Sequence, residues 1–216
     1  MEITGVYSHK EGLEYVQHNH AAELSEIYQA VASLTVSASL TKLSSEKTKK
    51  ALLFSPISLK NQIKSFLHPL GWTGKSDGKK GFKEPRIKYE GSQFREMDGI
   101  KNRVGLEVQF GKYAFMGYDI FLKMPVFAKR GLIDCGIELV VMPSMISNMS
   151  TGVSSFAQIV ADMKARGVAD IDIPTLVLGF ECSAAEWEEV DSLRRKHSEG
   201  EGVDYIGLNG NKPGPK

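Results

Sequence analysis

Apolar positions set the first outline of the chain. From Gly12 to about Leu34, Leu13, Val16, Leu24, Ile27, Tyr28 and Val31 recur at helical intervals and predict one long helix with an apolar face. Ser55-Pro56, followed by Ile57, Leu59, Ile63, Phe66 and Leu67, reads as a second helix: serine can accept the orphan N–H bonds, and proline suits the first turn. Pro69 and Gly71 end it. In VGLEVQF, residues 104–110, Val104, Leu106, Val108 and Phe110 alternate with Gly105, Glu107 and Gln109, the period of a strand. The stretch 113–130 is apolar and helical in character, with Pro125 predicting a break or kink. GIELVVM (136–142) and TLVLGF (175–180) read as buried strands, with a helix between them over 154–166. The predicted fold class is α/β, a mixed β-sheet flanked by α-helices.

The length of 216 residues fits a single domain over 1–216, with a Gly-, Pro- and Asn-rich tail from Gly200 expected to be flexible. No basic stretch followed by an apolar segment opens the chain, and no run approaches the roughly 18 apolar residues of a membrane span, so a cytoplasmic protein is expected. Cys135 and Cys182 lie in apolar, strand-like segments, which argues for small buried side chains rather than a disulfide or zinc site. A net charge of +1 does not announce a nucleic-acid binder, but the lysines are unevenly spread. Residues 42–50 carry Lys42, Lys47, Lys49 and Lys50 against Glu46, and residues 74–88 carry six basic side chains against Asp77 and Glu84. Taken alone, both runs read as solvated loops.

Glu107 and Gln109 project from the same side of one strand, because side chains two apart on a strand point the same way. Asp98 precedes Glu107 by nine residues, a spacing that lets a short turn or hairpin bring the two carboxylates together. Two carboxylates with a backbone carbonyl and water form a typical magnesium set. The bland alternative is an amphipathic strand with its polar face in water, preceded by an unrelated Asp-Gly turn. Spacing alone favours that alternative.

The surroundings shift the balance. MDGIKNR with VGLEVQFGKYAFMGYDIF resembles the BglII and BstYI family of type II restriction endonucleases, a branch of the PD-(D/E)xK nucleases with BamHI more distant. VYSHKEGLEYVQ, SEKTKKALLFSPISL and GIELVVMPSM…MSTGVSSF look like the BstYI branch, and the resemblance covers most of residues 4–180. It implies a restriction-endonuclease-like core and a Mg²⁺-dependent phosphodiester hydrolase. Asp98, Glu107 and Gln109 are then the catalytic set, and Asp98, Glu107 and the Val108 carbonyl hold the metal. Gln109 stands where most of the superfamily has lysine. Glutamine cannot take a proton from water, so it is expected to orient the attacking water while the metal lowers that water's pKa.

The resemblance also implies double-stranded DNA as the partner, read as a short palindrome containing GATC, with RGATCY as the BstYI-like form. Gly111 and Lys112 fall in the family's base-contacting segment, and a lysine ammonium can donate to guanine O6 and N7. Lys112 as a phosphate contact or a solvated lysine stays open. Ser150 and Thr151, in MSTGVSS, are the second candidate reader, the alternative being the cap of the 154–166 helix. Thr151 stands where BstYI-like sequences carry serine, which leaves the outer base pairs open. Given DNA, the lysine loops at 42–50, with Lys47 and Lys49, and at 74–88 become candidate phosphate contacts. Cutting both strands of a palindrome calls for two sites related by a two-fold axis, hence a homodimer, with 113–130 as the candidate interface. The alternative function is a catalytically inactive DNA-binding protein on the same fold, against which the intact carboxylate pair argues. GWTGKS (71–76) has the wrong spacing for a phosphate loop, and His18-Asn19-His20 lacks the further ligands a zinc site needs.

Overall fold

The structure is a computed structural model that describes residues 1–44, 51–72 and 84–199. In chain order the first elements are β1 (Glu2–His9), α1 (Gly12–Asn19), α2 (Ala21–Ala32), α3 (Val36–Ser39), β2 (Lys42–Leu43), β3 (Leu52–Leu53) and α4 (Pro56–Leu67). Next come β4 (Arg86–Lys88), β5 (Phe94–Glu96), β6 (Gly99–Lys101), β7 (Val104–Val108) and α5 (Ala114–Tyr118). A π-helical segment, Asp119–Lys123, leads from α5 into α6 (Met124–Lys129). The chain continues through β8 (Cys135–Val141), α7 (Pro143–Ile146), α8 (Phe156–Arg166), β9 (Thr175–Glu181) and α9 (Ala184–Ser198).

Five strands form one mixed sheet in the order β1-β9-β8-β7-β6. The central pairs β7/β8 and β8/β9 are parallel, and the outer pairs β1/β9 and β6/β7 are antiparallel. β7 and β8 are buried along their whole length because helices cover both faces of the sheet. One face packs on Val16, Ile27, Val31, Leu59, Ile63 and Val190, from α1, α2, α4 and α9. The other packs on Met116, Ile120, Met124, Phe127, Ile159 and Met163, from the α5-to-α6 helix and α8. The sheet is therefore a mixed one flanked by α-helices, as its strand and helix patterns predict.

Three expectations change. The long N-terminal helix is two helices, broken at His20, whose φ of −142° is not helical. No large apolar residue falls between Val16 and Leu24, so nothing in that turn holds a continuous helix to the core, and the Asn19 side chain donates to the Tyr15 carbonyl instead. The polar side of β7 does not face water: Gly105 lies against Met97 and Ile133, and Glu107 is buried. The break expected near Pro125 is a widened π turn just before it, which accommodates a residue that cannot donate an N–H to the preceding turn. Strand β1 and helix α9 join the elements expected from sequence. Cys135 and Cys182 are free and buried, and burial pushes both thiols up to about 12. No helix among the described residues is long and apolar enough to cross a membrane.

The hairpin β6–β7 fixes the register that matters for function. Asn102 and Arg103 close it with φ of 45° and 68°, the two left-handed residues of a tight two-residue turn. Asn102 is tied down by donating to Glu23 Oε1 at 2.6 Å, and Arg103 by pairing with Asp134. Replacing Asn102 with valine is expected to destabilise the protein by about 1–2 kcal/mol more than replacing it with glycine, because a β-branched residue resists the left-handed region. Both lose the hydrogen bond to Glu23, so the difference between their denaturant midpoints isolates the backbone effect.

Candidate active site

Gly99 pairs with Leu106 and Ile100 with Gly105, so the hairpin carries Asp98 to the position facing Glu107. The Val108 N–H donates to Asp98 Oδ2 at 2.9 Å, which bonds the carboxylate to the neighbouring strand. The Asp-Gly pair at 98–99 is thus not the turn; the turn lies four residues further on. Lys60 and Lys64, one turn apart on α4, place their ammonium groups 2.8 and 3.2 Å from Asp98 Oδ1. Burial opposes the charge of Asp98, but the two ammonium groups and the Val108 N–H outweigh it and hold the carboxyl below the usual carboxylate range.

Glu107 is served from a different element. Lys123, in the π segment, reaches Glu107 Oε1 at 2.8 Å and Asp119 Oδ1 at 2.5 Å. Asp119 Oδ2 accepts from Gln109 Nε2 at 3.0 Å, while Gln109 Oε1 accepts the Gly111 N–H at 2.9 Å. The amide of Gln109 is therefore oriented at both ends. Burial, with Asp98 and Asp119 nearby, pushes Glu107 well above its ordinary range, and Lys123 opposes that rise. Lys123 itself stays protonated despite its burial, because Glu107 and Asp119 flank it.

A further carboxyl lies beside them. Glu138 on β8 is the register partner of Glu107, is wholly buried, and has no hydrogen-bond partner at either oxygen among the described residues. Burial first, then the Asp119 and Glu107 carboxylates, raise it well above its ordinary range. Asp98, Glu107, Asp119 and Glu138 thus bring four carboxyls together against three lysines, one of which is shared with Glu84. Such an excess of buried negative charge needs protons or a cation. Hard oxygen donors in surplus suit a divalent cation. Among the described residues no three His, Cys, Asp or Glu side chains converge as a ready cage. An ion here would be held by two carboxylates, a backbone carbonyl and water.

The structure brings the two candidate reading segments together. Lys112 forms an isolated antiparallel bridge with Val153, and the Tyr113 N–H donates to the Gly152 carbonyl at 3.1 Å. Lys112 and Thr151 are exposed, and Ser150 is half-buried and accepts from Lys42. Ser155 occupies the cap position of α8 but makes no side-chain cap bond, and Ser154 is buried with its hydroxyl unpartnered among the described residues. Lys47 and Lys49 lie outside the described residues. Sequence reasoning missed Lys60, Lys64, Asp119, Lys123 and Glu138. A signal existed for some of them: the lone acid in GIELVV, and the Asp–Lys pair four apart in DIFLK.

A mixed sheet whose β6–β7 hairpin sets two acids at the end of a central strand belongs to the restriction-endonuclease fold. The crystal structure of restriction endonuclease BglII complexed with a DNA 16-mer matches with a TM-score of 0.68 at 17% identity, over 85% of this chain and 79% of that one. The crystal structure of free BglII matches with a TM-score of 0.57 at 16% identity, over 85% and 81%. At such identities the likeness establishes the fold. The family model for restriction endonuclease BglII/BglIII matches residues 4–180, and the chain belongs to that family. It is a type II restriction endonuclease and a DNA-binding protein. No curated protein sequence matches it at significance.

Two stability measurements test the charge balance. Lys123→Met should destabilise the metal-free protein by about 3 kcal/mol, since it leaves Glu107 and Asp119 buried without their cation. Adding Glu107→Gln should recover part of that loss, and an additive double-mutant cycle would show that the pair is not coupled. Glu138→Gln tests the raised carboxyl. A group whose folded pKa is raised stabilises the fold below its unfolded pKa, about 4.3, and loses that contribution as pH rises toward the folded value. The Gln variant, which cannot ionise, should therefore melt higher than wild type at pH 7, with the gap closing below about pH 4.

Proposed function

We propose that the chain hydrolyses DNA phosphodiesters with Mg²⁺ at a short palindrome containing GATC, acting as a homodimer that restricts foreign DNA. The observation that carries this reading is the placement of Asp98 opposite Glu107 across the β6–β7 hairpin, with Gln109 oriented at the end of the same strand.

Asp98, Glu107 and the Val108 carbonyl are the groups that would hold the ion. When bound, the cation supplies Lewis-acid stabilisation of charge on the phosphate and lowers the pKa of a water. Lys60 and Lys64 hold Asp98 ionised, and Lys123 opposes the rise that burial imposes on Glu107, which keeps both side chains in place at the end of β7. Gln109, with its Nε2 committed to Asp119 and its Oε1 to Gly111, presents a fixed amide that orients the attacking water without deprotonating it. From Gln109 the chain runs directly to Gly111 and Lys112, and Lys112 and Tyr113 meet the 152–153 stretch, so the residues proposed to cut and those proposed to read bases lie on one short stretch of chain. Base edges of GATC are then within the remit of Lys112, Gly111, Ser150 and Thr151, with Lys47 and Lys49 as phosphate contacts. Exposed Phe115 and Leu122, on the 113–130 helix, favour that helix as the dimer contact.

Incubation with Mg²⁺ and a plasmid of known sequence should give discrete fragments whose ends map to GATC-containing sites, and the same preparation should sediment at twice 23.8 kDa. Asp98→Ala and Glu107→Ala should abolish cutting while duplex binding persists. Gln109→Ala should slow it by about 10²-fold through misplaced water. Near wild-type cleavage by either carboxylate variant would sink the assignment.

A further inference from the structure

A second polar site lies away from the carboxylates and shares no residue with them. A cleft of about 260 Å³ opens between the β2–β3 hairpin, the 147–151 stretch and α9. Its polar lining includes Lys42, Arg194, Ser44, Asn148, Ser150 and Thr151, and none of the described lining residues is acidic. The walls thus offer an ammonium, a guanidinium, hydroxyls and an amide, all able to donate hydrogen bonds.

Among the described residues, neither cation has a carboxylate partner. Lys42 donates to Ser150 Oγ, and Arg194 donates through Nε and Nη2 to the Leu52 carbonyl at 3.1 and 2.8 Å. Asp191, on the same helix as Arg194, is a neighbour in charge without an ion pair. The bonds to Leu52 hold the guanidinium in a set direction, so little ordering is needed when an anion arrives. The floor is fixed as well, since the Phe54 N–H donates to the Asn148 carbonyl at 2.8 Å.

The cleft also has a defined neighbour. Ser150 and Thr151 form one of its walls, and the next residues, Gly152 and Val153, meet Tyr113 and Lys112. An anion bound by Lys42 and Arg194 would brace the reading loop from behind. We propose that this cleft is a phosphate-binding site, and that in the DNA complex it takes one backbone phosphodiester next to the base pairs facing residues 150–153. The source of the phosphate rests on the DNA-cutting reading above; the oxyanion chemistry of the cleft does not.

The test uses the full-length, metal-free protein. In one arm, inorganic phosphate is titrated while NMR follows the Arg194 Nε–H and the Asn148 side-chain amide; both should shift saturably, and Lys42→Gln should weaken the response at least several-fold. In the other arm, binding of a GATC-containing duplex is measured over a salt series. Lys42→Gln should make the slope of log K against log[salt] shallower by about one, and Lys42→Arg should restore it. Unchanged melting of Lys42→Gln confirms that the fold is intact. Phosphate shifts with an unchanged slope would show that the cleft takes free phosphate and overturn its role on DNA. No shifts and no slope change overturn the site altogether. If wild type binds no duplex, the DNA-cutting reading fails separately, and the phosphate titration still decides the cleft.

Discussion

Negative charge withdrawn from water at the end of β7 is the constraint around which this molecule is organised. A carboxylate stripped of solvent must be paired or protonated, and here Asp98, Glu107, Asp119 and Glu138 lie within one another's influence. The counter-charges come from two separate elements: α4 sends Lys60 and Lys64 to Asp98, and the π segment sends Lys123 to Glu107 and Asp119. Helices on the two faces of the sheet are thereby tied to one strand pair by charge as well as by apolar packing. The balance stays on the negative side, and Glu138 is the residue that shows it.

The widened helical turn before Pro125 takes on meaning in that light. It holds Asp119 and Lys123 four residues apart, and both point into the cluster, one toward Gln109 and the other bridging Glu107 and Asp119. A regular helix would set these side chains at a different angle. The proline that looks like a flaw in an apolar helix therefore sits beside the segment that orients the glutamine.

The buried acids and the candidate reading residues are close because only a few residues of chain separate them. β7 is locked between β6 and β8, and within five residues the chain passes from Glu107 through Gln109 and Gly111 to the Lys112–Val153 bridge. On the proposed reading, so short and well-paired a path would couple a shift at the 150–153 loop to the position of Gln109. The cleft behind Ser150 and Thr151 sets Lys42 and Arg194 next to the same loop.

Local pattern determined much of this protein. The alternation in VGLEVQF, the apolar runs of β8 and β9, the Ser55-Pro56 cap, whose Oγ accepts the Ser58 N–H, and the mixed sheet between helices were all legible, because each depends on neighbours a few residues away. The approach of Asp98 to Glu107 was foreseeable from their spacing, but a catalytic role for Asp98, Glu107 and Gln109 rests on the likeness to a family, since spacing alone does not separate such a set from an ordinary turn and strand. Tertiary structure decided the rest. That Glu107 is buried rather than wet, that Lys60, Lys64 and Lys123 converge on the acids, and that Glu138 stands beside Glu107 all follow from which strands and helices become neighbours. The break at His20 shows the same limit: helical periodicity survives a gap in apolar contacts, whereas the helix itself does not. Lys112 meeting Val153, and Lys42 and Arg194 lining one cleft, join residues some 40 and 150 positions apart. Sequence fixes side-chain chemistry and local period, but the electrostatic environment that gives a carboxylate its role is set by distance in space, which only the packed sheet supplies.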